Sequence, residues 1–438
     1  MTDGNRIVIG LTGPFGAGCT TIADDLHQRH KMRKYSLSEF MREIAPSLIE
    51  GVNKGKLFSP KERWYQQLIG NEIRNKKIDA IPQEVFNKIK KDEGENKALE
   101  SQDIVIDGIR HPSEITFFQN IYPHFFVMAV FAKHELRWNR KKDIYDKNQG
   151  DFDRDDVKDS GEFEPPWGQK VQLCVDRSDI LISNNESFDE QPRFKEELQK
   201  RIDGYTELMK SPGKTGPQPW EFNMSQAYQA SLMSTCCKRK VGAVIVKEQA
   251  LEDRPRSYVI ASGYNEAPLT IKPCIQRGGK AKPNYCYKDE KIKSVIKKEY
   301  KYCPKCGAKV KIPEEFDLPL ACSNNKCDAK MGKDFIPGRV LDLCIAVHAE
   351  ESAILQTSRF GGTQVEGSIL YTTTFPCPLC AKKIVNAGIS KVIFAEPYPQ
   401  DDAISVLDEA KVQADLFEGV KGRAYHRLFE PPPYKHNN

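Results

Sequence analysis

The sequence predicts an α/β protein built from two sheet-and-helix domains in tandem. Three observations carry that prediction. Short apolar runs alternate with amphipathic stretches through the first half, which is the pattern of a parallel sheet crossed by helices. A glycine-rich turn follows the first of these runs directly, at "GLTGPFGAGCTT". A Pro/Gly/Lys segment then separates this half from a second alternation of strands and helices. A chain of 438 residues has room for two or three domains at about 150 residues each.

The elements follow in order. "IVIGL" (Ile7 to Leu11) reads as the first strand, and "IADDLHQRH" as the helix after the glycine-rich turn. "DIVIDGI" (Asp103 to Ile109), "FFVMAVFA" (Phe125 to Ala132) and "SDILISN" (Ser178 to Asn184) are further buried strands. Lys147 to Glu162, "KNQGDFDRDDVKDSGE", is too charged to pack and is expected as a surface loop or lid. The first domain is therefore drawn over residues 1–210, with 211–220 as linker and 221–438 as the second domain.

In the second domain "VGAVIV" and "YVIASG" are strands, and an insertion over 272–340 follows them. "LCIAVHAEESAIL" is expected as a helix, "SILYTTT" as a strand, "CPLCAKKIVNAG" as a helix and "KVIFAE" as a strand. The order is ββ-α-β-α-β.

Two motifs bear chemistry. The first is the turn itself, a near match to G-x-x-x-x-G-K-[ST]. Gly13, Gly16, Gly18, Thr20 and Thr21 suit a phosphate cradle, but Cys19 stands where the lysine belongs. Phosphate binding there rests on backbone N–H groups and a helix N-terminus, which survive the change. The lysine that steadies phosphoryl transfer does not. A regulatory or specificity domain that binds a nucleoside triphosphate without catalysis is the expectation, with a scaffold without ligand and an active kinase as the alternatives.

The second motif is sharper. His348 and Glu350 form H-x-E, and Cys377 and Cys380 form P-C-x-x-C, with 28 residues between His348 and Cys377. Three such ligands leave a tetrahedral zinc one open position for water, as catalytic zinc requires. Glu350, two residues from the histidine, is placed to shuttle protons. This arrangement is the signature of zinc nucleobase deaminases. Cys344, a few residues earlier, is read as a core thiol.

A further site is expected in the insertion. Cys303, Cys306, Cys322 and Cys327 form C-x2-C-x15-C-x4-C, a set that closes a structural zinc. Cys274 and Cys286 have no evident partner histidine. Lys238, Arg239 and Lys240 precede a strand, and Lys240 is the candidate for a substrate phosphate.

The second domain, from Glu221 to Phe429, resembles the cytidine/deoxycytidylate deaminase family. That resemblance makes Asn265, in "GYNEAP", the candidate contact to the substrate sugar. Ser352 replaces the asparagine this family commonly carries on the helix. In the first domain, "DIVIDGIRHPSE", with Asp107 and Arg110, and "VQLCVDRSDILISN" resemble deoxynucleoside monophosphate kinases. A degenerate P-loop nucleotide-kinase-like domain joined to a cytidine-deaminase-like αβα domain with a zinc-ribbon insertion resembles the bacterial antiphage dCTP deaminases. The resemblance implies deamination of dCTP and dCMP, depletion of the cytosine deoxynucleotide pool during infection, and an inhibitory small RNA. It also implies a homo-oligomer.

The alternatives are a housekeeping dCMP deaminase with a regulatory first domain, a nucleic-acid cytosine editor, and a non-catalytic nucleotide sensor. A net charge of +5 gives little sign of the basic groove an editor needs. No apolar run nears the roughly 18 residues of a membrane span, and the N-terminus lacks a signal-peptide pattern, so a cytoplasmic location is expected.

Overall fold

In the computed structural model, described over residues 6–161, 164–185, 192–249, 256–278, 284–296, 301–302, 306, 309–310, 320–321, 324, 330–331, 344–396 and 401–430, two compact units emerge. One holds residues up to Ser225 together with Ala395–Pro397 and Leu416 onward. The other holds Gln226–Phe394 and Tyr398–Asp415.

The first unit is organised by β1 (Val8–Thr12), buried at every position because helices cover both faces of its sheet. Ile9 and Leu11 face one core with Met128 and Ile180. Val8 faces the other with Ile104 and Phe125. Beside it lie β2 (Arg33–Ser36), β3 (Ile104–Ile109), β4 (Phe125–Phe131) and β5 (Ile180–Ser183), all parallel where they pair. Helix α1 (Cys19–His30) leaves β1 through the glycine-rich turn.

Three expectations are corrected here. Residues Gln149–Ser160 form a helix, not a loop. Phe152 is fully buried in it, and Asp159, 1% exposed, is paired with Arg63 and Arg110. The charge of Asp159 is thus neutralised by cations distant in the sequence. Next, the carboxyl-terminal segment does not stay with the second unit. The strand Gly419–Val420 pairs antiparallel with β5, so the first sheet is mixed. Glu221 belongs there too, accepting from Val420 N at 2.8 Å.

The second unit has a mixed sheet. Here β6 (Gly242–Gln249) pairs antiparallel with β7 (Arg256–Tyr264) and with β8 (Ile369–Thr372), and β8 runs parallel to β9 (Lys391–Phe394). With β10 (Gln413–Leu416) the order is β10-β9-β8-β6-β7. The third correction concerns "LCIAVHAEESAIL". The helix runs Ala349–Phe360, while Val347 ahead of it bridges antiparallel to Glu266. This helix lies tightly on β7. A Cβ added to Gly263 would stand 2.3 Å from Ala349 O and 2.3 Å from Ala353 N, so only glycine permits the approach.

Candidate metal centre

Two helix N-termini meet at the centre. His348 is the residue before the helix Ala349–Phe360, and Glu350 lies in that helix's first turn. Cys377 stands in the same relation to the helix Pro378–Asn386, where Pro378 supplies a preset φ and no surplus N–H. Cys380 then falls one turn in. The partial positive charge of both helix starts favours thiolates and a carboxylate.

His348 Nδ1 lies 3.4 Å from Cys377 Sγ and 3.4 Å from Cys380 Sγ. One ligand atom from each residue falls within 4.8 Å of the others, the single such group among the described residues. With Zn–S near 2.3 Å and Zn–N near 2.0–2.1 Å, a tetrahedral nitrogen–sulfur edge is about 3.6 Å. The three residues therefore fit zinc with little movement. Electrostatics agree. Hydrogen bonding from Cys380 and His348 pulls the Cys377 thiol down to about 4, while sharing with Cys377 and burial push Cys380 up. One proton serves two sulfurs, a position a thiophilic cation takes over.

Glu350 is 3% exposed, and burial raises its carboxyl above the ordinary carboxylate range. A carboxyl shifted towards neutrality can both accept and return a proton. Across the site, Lys383 pairs with Glu351 at 2.5 Å, tying the two helices at a half-exposed surface. Phe375 packs edge-on to Phe394 with ring centres 4.7 Å apart.

The other sequence candidates fall as follows. Asn265 is buried, and its amide joins two segments: Oδ1 accepts from Val241 N at 2.7 Å and Nδ2 donates to Arg239 O at 2.9 Å. One amide hydrogen remains. Lys240 Nζ donates to Leu232 O at 3.1 Å, and Lys238 pairs with Asp289. Cys344 precedes the helix, half-buried. Cys274 is buried and Cys286 half-buried, and Cys274 lies near enough to help raise the Cys237 thiol, after burial itself. Of the proposed second zinc set, Cys306 is exposed, and Cys303, Cys322 and Cys327 lie outside the described residues.

In the first unit Gly13, Gly16 and Gly18 all have positive φ, and α1 starts at Cys19. At Gly18, φ is 106° and a Cβ would meet Asn184 Nδ2 at 2.4 Å. Asn184 Nδ2 instead donates to Ala17 O at 2.8 Å. Thr20 Oγ1 donates to Asp107 Oδ2 at 2.8 Å, Thr21 is exposed, and Arg110 reaches Gly13 O at 3.4 Å. Residues 63–74, overlooked in the sequence, wall a cleft beside this turn. Their signal was a polar stripe at helical spacing.

The model of the cytidine and deoxycytidylate deaminase zinc-binding region matches residues 218–396. The deoxycytidylate deaminase of Enterobacteria phage T2 is 31% identical over 179 residues, covering 40% of this chain and 78% of that protein. The chain belongs to the cytidine and deoxycytidylate deaminase family. The deoxycytidylate deaminase of Schizosaccharomyces pombe is 26% identical over 311 residues, 70% of this chain and 75% of its own length. Among solved structures, the dCMP deaminase of cyanophage S-TIM5 with dCMP and dUMP aligns with a TM-score of 0.27 at 21% identity, over 46% of this chain and 99% of that one. No described helix is long and apolar enough to cross a membrane.

Proposed function

We propose that this deaminase hydrolyses the amino group of free cytosine deoxynucleotides, dCMP and dCTP, giving the uracil nucleotide and ammonia. The observation that carries the reading is the convergence of His348, Cys377 and Cys380 beside a buried Glu350 whose carboxyl burial raises above the ordinary range. Zinc, when bound there, supplies the Lewis acid that makes water nucleophilic at neutral pH. Glu350 takes one proton from the attacking water and delivers it to N3 as the water oxygen bonds to C4. It then takes the second proton from the new C4 hydroxyl and delivers it to the amino group, and the C4–N4 bond breaks to leave a C4 carbonyl and ammonia. The free amide hydrogen of Asn265 is the donor assigned to the sugar hydroxyl, and Lys240 has to leave Leu232 O to reach a phosphate.

Replacing Glu350 with Ala should abolish ammonia release while leaving bound zinc nearly unchanged. Persisting release from that variant would sink the assignment. Our finer reading is a dCTP-using enzyme of antiphage defence, homo-oligomeric and restrained by a small RNA, with a structural zinc held by four cysteines in the insertion. It rests on the pairing of a P-loop-like first domain with a deaminase. One observation favours the housekeeping dCMP deaminase instead: the likeness to the S. pombe enzyme runs over 311 residues, far beyond the zinc-binding region. Rates on dCTP and dCMP at equal concentration separate the two.

A further inference from the structure

The cleft of the first unit, about 850 Å³, takes no part in deamination as read above. Its long wall is a stripe of the helix Arg63–Lys76. Arg63, Gln67, Gly70 and Arg74 are spaced by four, three and four residues and share one face. At about 1.5 Å per residue the stripe runs roughly 16 Å, the reach of an extended nucleotide. One end is fixed at the glycine-rich turn, where the Arg63 guanidinium lies 3.8 Å over the Phe15 ring and Lys141 lies 5.4 Å from the same ring. Arg74 marks the far end.

The cleft carries a cationic excess. Seven lysine and arginine side chains line it against a single lining carboxylate, Asp107. Asp159 answers Arg63 and Arg110, and Glu114 answers Arg74, but Arg42, Lys141 and Lys142 form no ion pair among the described residues. Such a field calls for a polyanion.

The cleft wall carries unmet hydrogen bonds at several points along its length. Arg74, Gln67 and Gln169 are 5%, 1% and 8% exposed, yet Arg74 Nη1, Gln67 Oε1 and Gln169 Oε1 have no partner. The orientation of Gln67 is settled, since its Nε2 donates to Asp159 Oδ1 at 2.7 Å and Asp155 O at 3.3 Å. The other Arg74 nitrogens are engaged by Glu114 at 3.0 and 2.9 Å. A Cβ on Gly70 would stand 3.5 Å from Arg74 Nη1 and 3.9 Å from Met41, so the glycine leaves space open next to the orphaned donor. A buried polar group without a partner has lost its water and gained nothing in return, a penalty that a ligand seated there would relieve.

We propose that this cleft binds a nucleoside triphosphate with a keto base (guanine, thymine or uracil), base towards Arg74 and Gln67, and holds it without phosphoryl transfer. These bases offer both a carbonyl for the Arg74 donor and a ring N–H for the Gln67 acceptor. Adenine has no carbonyl, and cytosine has no ring N–H. Transfer is not expected because Cys19 replaces the cation of the turn. Burial and Asp107 push its thiol up to about 12, so it stays uncharged.

Equilibrium dialysis of the full chain with dGTP, dTTP, UTP and dATP, with magnesium, tests this. The expected result is at least one keto-base triphosphate bound tenfold or more tightly than dATP, with its γ-phosphate intact afterwards. Gly70→Met, which fills the open space and favours the helix, should lose that preference. Lys141→Ala should weaken every triphosphate several-fold without reordering them. The proposal is overturned if dATP binds as well as the others. It also fails if a normally melting Gly70→Met chain binds like the parent, or if nucleoside diphosphate accumulates above the spontaneous rate. Binding is read directly, so the outcome does not depend on whether the second unit deaminates.

Discussion

Gly263→Ala should disable the metal centre without touching it. The added Cβ would lie 2.3 Å from Ala349 O, 2.3 Å from Ala353 N and 2.9 Å from Ala353 Cα. These are backbone atoms, so no side chain can swing aside. Ordinary contact begins near 3.4 Å, so the helix Ala349–Phe360 must retreat about 1 Å from β7. Overpacking of this kind costs roughly 1–3 kcal/mol. His348 and Glu350 ride on the start of that helix, while Cys377 and Cys380 ride on another. A metal site tolerates about 0.2 Å, and a misplacement of about 1 Å can cost about 100-fold in rate. Zinc content, ammonia release and thermal unfolding should be measured together, with Gly204→Ala as control, since a Cβ there meets nothing within 4 Å. A Gly263→Ala protein that keeps zinc, rate and melting temperature would refute the claim that this close approach positions the site.

Cys380→Ala should lower bound zinc by one equivalent per chain and end deamination, read by metal analysis beside ammonia release. Asp159→Ala takes the shared carboxylate from the half-buried Arg63 and Arg110 and should cost about 1–3 kcal/mol by denaturant unfolding. Lys421, 2% exposed, donates to Val175 O and Asp176 O, and burial lowers its ammonium to about 8. Its folded pKa is below the unfolded value, so the charged form is penalised at and below pH 8. Stability should therefore rise between about pH 8 and 10.5, by up to about 3 kcal/mol, relative to Lys421→Met, in which that slope disappears.

The central strands and the His348, Cys377 and Cys380 cluster were legible because their signals are local. Apolar runs such as "VIGLT" and "FFVMAVF" are buried nearly throughout, as expected of strands covered on both faces. H-x-E and P-C-x-x-C act through spacing alone, since each pair sits at the start of one helix. What escaped was decided at long range. Nothing within "RKYS" marks β2 as a strand; its partner is β3, some seventy residues on. Asn265 is marked in the sequence only as a candidate sugar contact, and nothing local reveals its bonds to residues 24 and 26 positions away.

The charged segment Gln149–Ser160 shows the physical reason most clearly. Phe152, Asp155, Asp156 and Asp159 recur at helical spacing, a signal present but outweighed by composition. Whether such carboxylates can be buried depends on what meets them, and Arg63 comes from 96 residues away. Arg137 reaches Asp156 in the same way and also holds Phe15 O, within the glycine-rich turn. The acidic helix is therefore part of the support of the turn. Its charge is what lets so many arginines crowd one cleft without forcing it apart, and the cations it leaves unpaired are those facing the space where an anion would lie.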